Sequence, residues 1–124
     1  MLKTYKPDNN IKLSKNFMSN EFKCNCSVGH VFFVDDRLVL CCQVLRNLVE
    51  SSVFFTNAYR CPEHNINVGG VITSYHTQGM AVDIPLPSDS TFRKFHIEMA
   101  RAIFPFVLVY EDKNFMHCDI IERV

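Results

Sequence analysis

Hydrophobic and polar positions divide the chain into a few short, distinct elements. Residues 1–12 mix Lys, Asp and Asn with scattered apolar positions and read as a loose N-terminal arm, leaving residues 13–124 as one domain. Ser19, Glu21 and Phe22, within NFMSNEFKC, suggest a short helical turn. The first clear helix follows Val34-Asp35-Asp36. Leu38, Cys41, Leu45, Leu48 and Val49 recur at helical spacing, Asp35 or Asp36 can cap the open N–H groups, and the pattern ends near Ser51. Val53-Phe54-Phe55-Thr56 is a short β-rich run, and Ala81-Val82-Asp83-Ile84 reads as a strand closed by Pro85. Ser88 and Ser90 offer caps for a second helix. Its apolar stripe is Phe92, Phe95, Met99 and Ala102 or Ile103, and Pro105 stops it. Two strand-like runs, from Phe106 to Tyr110 and from Phe115 to Ile121, flank the polar tetrapeptide Glu111-Asp112-Lys113-Asn114 and predict a hairpin. Helices and strands come in blocks and one strand pair must be antiparallel. The fold class is therefore α+β, a small and mostly antiparallel sheet packed against helices.

Composition narrows the classes of function. The 124 residues are 48% hydrophobic and 21% charged, enough for an ordinary globular core. Thirteen Lys and Arg balance thirteen Asp and Glu, so no basic surplus points to nucleic acid or to an anionic membrane as partner. No stretch is long enough to span a bilayer, and the polar opening lacks the apolar stretch of a secretory signal. The expectation is a monomer made in the cytoplasm without a signal peptide, without membrane insertion. In such a chain six cysteines read as reduced thiols or metal ligands rather than three disulfides. Cys41, Cys42 and Cys118 suit burial. Cys24 and Cys26 are the one pair with ligand-like closeness, but two further ligands at a usual spacing are not evident.

A catalytic zinc requires three protein ligands and one position left for water, which the metal acidifies. His76 and Asp83 are separated by a segment containing Gly79, whose freedom permits a tight reversal that could bring a loop histidine over a carboxylate on the next strand. Asp83 sits among Ala, Val and Ile, where an unpaired carboxylate would be costly to bury. Strand alternation puts Phe115, His117, Asp119 and Ile121 on one face, so His117 is the natural third ligand and Asp119 a carboxylate that could orient a histidine. Spacing alone leaves a hydrogen-bonded core histidine as an equal alternative.

The stretch AYRCPEHNINVGGVITSYHTQGMAVDI, with FMHCDI downstream, closely resembles the M15 peptidases, the D-alanyl-D-alanine carboxypeptidases and L-alanyl-D-glutamate endopeptidases that cleave peptidoglycan stem peptides. The resemblance runs from about Leu13 to Arg123 and rests on YR-x4-N, VGG, S-x-H-x2-G-x-A-x-D-I and the late H-x-D. It implies a hedgehog/DD-peptidase-like fold with Zn2+ held by His76, Asp83 and His117. It further implies that Arg60 contacts the substrate's carbonyl or carboxylate, stabilising a developing oxyanion, that Ser74 lines the substrate site, and that Asn65 braces the adjoining loop.

The general base departs from the family pattern. Many relatives carry an acidic residue three before the last histidine, where this chain has Asn114, which cannot take a proton. VYEDKNFMHCD is also similar to the zinc-bearing signalling domain of hedgehog proteins, which has a glutamate at the place of Glu111 beside a metal site known for binding rather than turnover. Glu111 is the first choice of base, with Asp112 and Asp119 in reserve. His64 reads as structural or exposed, His96 as a residue of the core boundary, and His30 receives no role. The implied function is a zinc metallopeptidase acting on bacterial peptidoglycan peptides, phage-encoded and reaching the wall after release or as part of a virion. The alternative is a zinc-binding module of the same fold that has lost turnover.

Overall fold

The computed structural model describes residues 1–26, 29–70 and 74–123. The fold is α+β, with two small antiparallel sheets and three helices among the described residues. The N-terminal arm is not loose. Leu2–Tyr5 form β1, paired antiparallel with β2 (Phe32–Asp35), with Leu2 opposite Asp35 and Tyr5 opposite Phe32. Nothing in the periodicity of residues 1–12 announces this strand, because its residues are mostly exposed and the pairing partner lies some thirty positions away.

Helix α1 (Asp36–Val49) follows β2 without a break. Asp35 caps it, accepting from the Arg37 N–H at 2.9 Å and from the Arg37 guanidinium. The buried stripe is Leu38, Val39, Cys42, Leu45 and Val49, so Cys42 enters the core and Leu48 stays half exposed, a one-residue rotation from the expected face. Val53 to Thr56 form no strand. Only Asn57 bridges to Asp83, through the Asp83 N–H donating to the Asn57 carbonyl at 2.8 Å. A short helix α2 (Pro62–Asn67) precedes β3 (Ala81–Pro85).

Helix α3 (Ser90–Ile103) is capped by Asp89, which accepts from the Phe92 N–H at 3.0 Å, rather than by Ser88 or Ser90. It buries His96 and Ala100 on an i, i+4 line, while Phe92 and Phe95 remain exposed, contrary to the stripe expected from spacing. The small Ala100 side chain suits the close packing of α3 on α1. The hairpin is as predicted. β4 (Phe106–Tyr110) and β5 (Phe115–Asp119) are joined by a 3-10 turn at Glu111–Lys113 and by Asn114, whose φ of 58° is a left-handed conformation that Asn tolerates better than most residues. The sheet order is β3-β5-β4, so β5 is central. Met116 and Cys118 on its inner face join the core with Val82, Ile84, Leu38 and Leu45, and the opposite face carries His117.

Candidate metal centre

Sheet register creates the site. Asp83 on β3 and His117 on β5 are direct cross-strand partners, a placement that brings their side chains together on one face of the sheet. His76 comes from a 3-10 turn, Tyr75–Gln78, just before β3. Ser74 caps this turn by accepting from the His76 N–H at 3.3 Å, and Gly79 ends it at φ 71°. A side chain at position 79 would also run into the Phe33 carbonyl of β2, and the Gly79 carbonyl accepts from Asp35 N–H at 2.9 Å. Gly79 is thus required twice, by its backbone angle and by the close approach of β2.

The two rings are oriented by their far nitrogens. His76 Nδ1 lies 2.8 Å from the Ala58 carbonyl, which can only accept, so Nδ1 carries the hydrogen. His117 Nε2 lies 2.7 Å from Asp119 Oδ2 and likewise donates. In the neutral rings the remaining lone pairs, on His76 Nε2 and His117 Nδ1, then face Asp83 Oδ1 at 3.2 Å and 3.3 Å. Three acceptors converging on one point repel one another unless a proton or a metal cation lies between them. These separations match the ~3.3 Å edge of a tetrahedron whose metal–ligand bonds are ~2.0–2.1 Å, so the donor set fits zinc. The three ligand atoms all lie within 4.8 Å of one another.

Without a metal the proton takes the cation's place. Burial alone would lower the His117 pKa, but hydrogen bonds with Asp119 and Asp83 outweigh it and push the ring up to about 9. Asp83 is also buried, yet the His117 and His76 rings hold its carboxyl well below the usual carboxylate range. Asn57 Nδ2 donates to its other oxygen at 3.3 Å.

Asp119 is fully buried and is the anchor of His117, not a base facing the cleft. Its oxygens also accept from the Arg123 guanidinium at 2.9 Å and 3.1 Å and from the Ile121 N–H. Burial would raise its pKa, but the hydrogen bonds from His117 and Arg123 bring it down to about 2. Arg123 in turn stacks over Phe106, 3.6 Å from the ring centroid, and the Phe106 ring makes a T-shaped contact with His117.

An open cleft of about 490 Å³ exposes the three ligands and is lined by Arg60, Ser74, Asn57, Tyr110, Lys113 and Phe115 as well. The Arg60 guanidinium donates to Ser74 Oγ at 3.3 Å, and its buried Nε has no hydrogen-bond partner among the described residues. The Arg60 N–H bonds to the His76 carbonyl, tying this loop to the ligand turn. Glu111 does not join them. It lies outside the cleft wall, with Oε2 3.0 Å from Arg93 of α3, and Asp112 is exposed beside it. Asp112 and Asp119 do not line the cleft either, and Asp83 is the one carboxylate among the described cleft residues. A second, more apolar hollow of about 530 Å³, between the ends of α1 and β3 and the start of α3, is lined by His96 but by none of His76, Asp83 and His117.

A family model described as Peptidase M15 matches residues 15–119. The chain belongs to the M15 peptidases. Neither a search of curated proteins nor one of solved structures returned a match. The M15 match spans every site residue named above except Ile121 and Arg123. Its motif segment from Val71 to Thr73 lies outside the described residues. Among the described residues of this M15 domain no helix is long and apolar enough to cross a membrane.

Sequence reasoning missed two partners of the site. The Ala58 carbonyl that orients His76 leaves no mark in residue identity, because every residue has a carbonyl. Arg123 could have been noticed at four positions beyond Asp119 in the terminal segment, a spacing that the fold turns into a bidentate pair.

Proposed function

We propose that this M15 domain is a zinc metallopeptidase that hydrolyses an amide bond in peptidoglycan stem peptides, with His76, Asp83 and His117 as metal ligands. The observation that carries the reading is the convergence of His76 Nε2 and His117 Nδ1 on Asp83 Oδ1, with both far nitrogens already hydrogen-bonded. Zinc, when bound, supplies Lewis acidity toward a scissile carbonyl and acidifies water. Arg60 serves the substrate: lining the cleft with one Nη braced on Ser74, its guanidinium offers charge-assisted donors to a peptide carboxylate or a developing oxyanion. Asp119 and the Ala58 carbonyl keep the two rings aimed. A wall peptidase of this kind reaches its substrate after release from the producing cell or as part of a virion.

Release of stem-peptide fragments from purified walls tests the proposal. Activity is expected from the zinc-loaded chain and lost on chelation or in His76→Ala.

A second reading is a zinc-bearing binding module without turnover. It is favoured by one observation, that the cleft offers no carboxylate beyond Asp83 among the described residues and that Glu111 is paired with Arg93. Intact walls in the presence of a fully zinc-loaded chain establish it in place of the first.

A further inference from the structure

Cys24 and Cys26 are neighbours in sequence but Cys61 lies 35 positions beyond Cys26, and the three meet in the fold. Cys24 and Cys26 follow the 3-10 turn Ser19–Phe22, and Cys61 caps α2, immediately after Arg60. Their sulfurs all lie within 4.8 Å of one another, and Cys26 Sγ is 3.9 Å from Cys61 Sγ. With Zn–S bonds of ~2.3 Å, the sulfur–sulfur edge of a tetrahedral zinc site is ~3.8 Å, so this separation already has the span that a shared metal imposes.

The surroundings are built for thiolate. The Cys61 N–H donates to Cys24 Sγ at 3.3 Å, and the His64 N–H donates to Cys61 Sγ at 3.4 Å. Such backbone donors aimed at sulfur offset the surplus negative charge of three thiolates on one divalent ion. Cys24 and Cys61 are buried and Cys26 is half buried, which gives an entry path on one side and a dry floor on the other. The fourth position falls to water, which the half-buried side of the site at Cys26 can admit.

We propose that Cys24, Cys26 and Cys61 form a second zinc site, structural rather than catalytic, that staples the segment after the Ser19–Phe22 turn to the loop carrying Arg60. The staple runs beside an existing backbone link, the Tyr59 N–H to the Phe22 carbonyl at 3.0 Å. It holds the base of the Arg60 loop from the side away from the cleft. The site shares no ligand with His76, Asp83 and His117, so its occupancy is independent of theirs.

Metal content of the 124-residue chain, purified under reducing conditions and dialysed against a zinc buffer, tests the assignment. Elemental analysis is expected to find two zinc ions per chain in the unaltered protein, one in the His76→Ala/His117→Ala variant and one in Cys26→Ser. Cobalt substituted into the histidine double variant is expected to show intense near-ultraviolet sulfur-to-metal charge-transfer absorption, absent from Cys26→Ser. A mercurial added to the unaltered chain releases one of its two zinc ions, a readout that does not depend on any variant folding. The proposal is overturned if Cys26→Ser retains the zinc content of the parent, if the mercurial releases no zinc, or if thiol titration of the unfolded parent shows that two of the three cysteines have paired as a disulfide.

Discussion

His117 and Asp119 sit two residues apart on β5 and are nonetheless joined, Nε2 to Oδ2, at 2.7 Å. The bond fixes the tautomer of His117 and aims Nδ1 at Asp83, while Arg123 and the Ile121 N–H hold Asp119 from behind. Asp119→Asn keeps the shape but removes the carboxylate that raises ring basicity. Zinc affinity of the histidine site is expected to fall by ~10- to 100-fold, measured by chelator competition in a chain that keeps its secondary structure. An unchanged affinity would show that the ring needs no carboxylate anchor.

Glu111→Gln is expected to leave the rate of wall-peptide release well short of the ~100-fold loss that removal of a general base produces. The side chain is largely exposed and paired with Arg93, outside the cleft that the ligands face. Steady-state kinetics of the variant decide the matter, and a collapse in kcat would mean that Glu111 leaves Arg93 when substrate binds.

Gly79→Ala is expected to destabilise the fold by about 2 kcal/mol or more, the sum of a left-handed backbone penalty of ~1–2 kcal/mol and displacement of the β2 backbone. Denaturant unfolding measures it. Because residue 79 ends the turn that carries His76, zinc affinity should drop in parallel.

Acid unfolding should carry a component from Asp35. Its hydrogen bond with Arg37 outweighs burial and lowers its pKa from 3.8 to about 2. A depressed folded-state value means that the stabilisation is fully present above pH 4 and is lost as pH falls from about 4 to about 2. The contribution is about 1–2 kcal/mol, allowing for the solvent exposure of Arg37. In Asp35→Asn the slope of unfolding free energy against pH in this window should flatten, and neutral-pH stability should fall by a similar amount.

The sequence by itself determined what depends on neighbours along the chain. The β4–β5 hairpin was legible because Phe106 to Tyr110 and Phe115 to Asp119 are separated by a polar turn, and the meeting of His76, Asp83 and His117 was legible because they fall within a family motif at strand and loop positions. The helix interiors were legible in outline, but the faces they bury were not. Whether Phe92 or His96 turns inward depends on how close α1 lies, which spacing cannot express. Tertiary structure alone decided the pairing of β1 with β2, the capture of Glu111 by Arg93 and the meeting of Cys61 with Cys24 and Cys26. Each of these joins residues distant in sequence whose local signal is neutral: an exposed strand, a surface carboxylate, a single cysteine inside a motif noted for its arginine. Periodicity records how one element divides between core and solvent, whereas these contacts follow from how separate elements are set against one another in space.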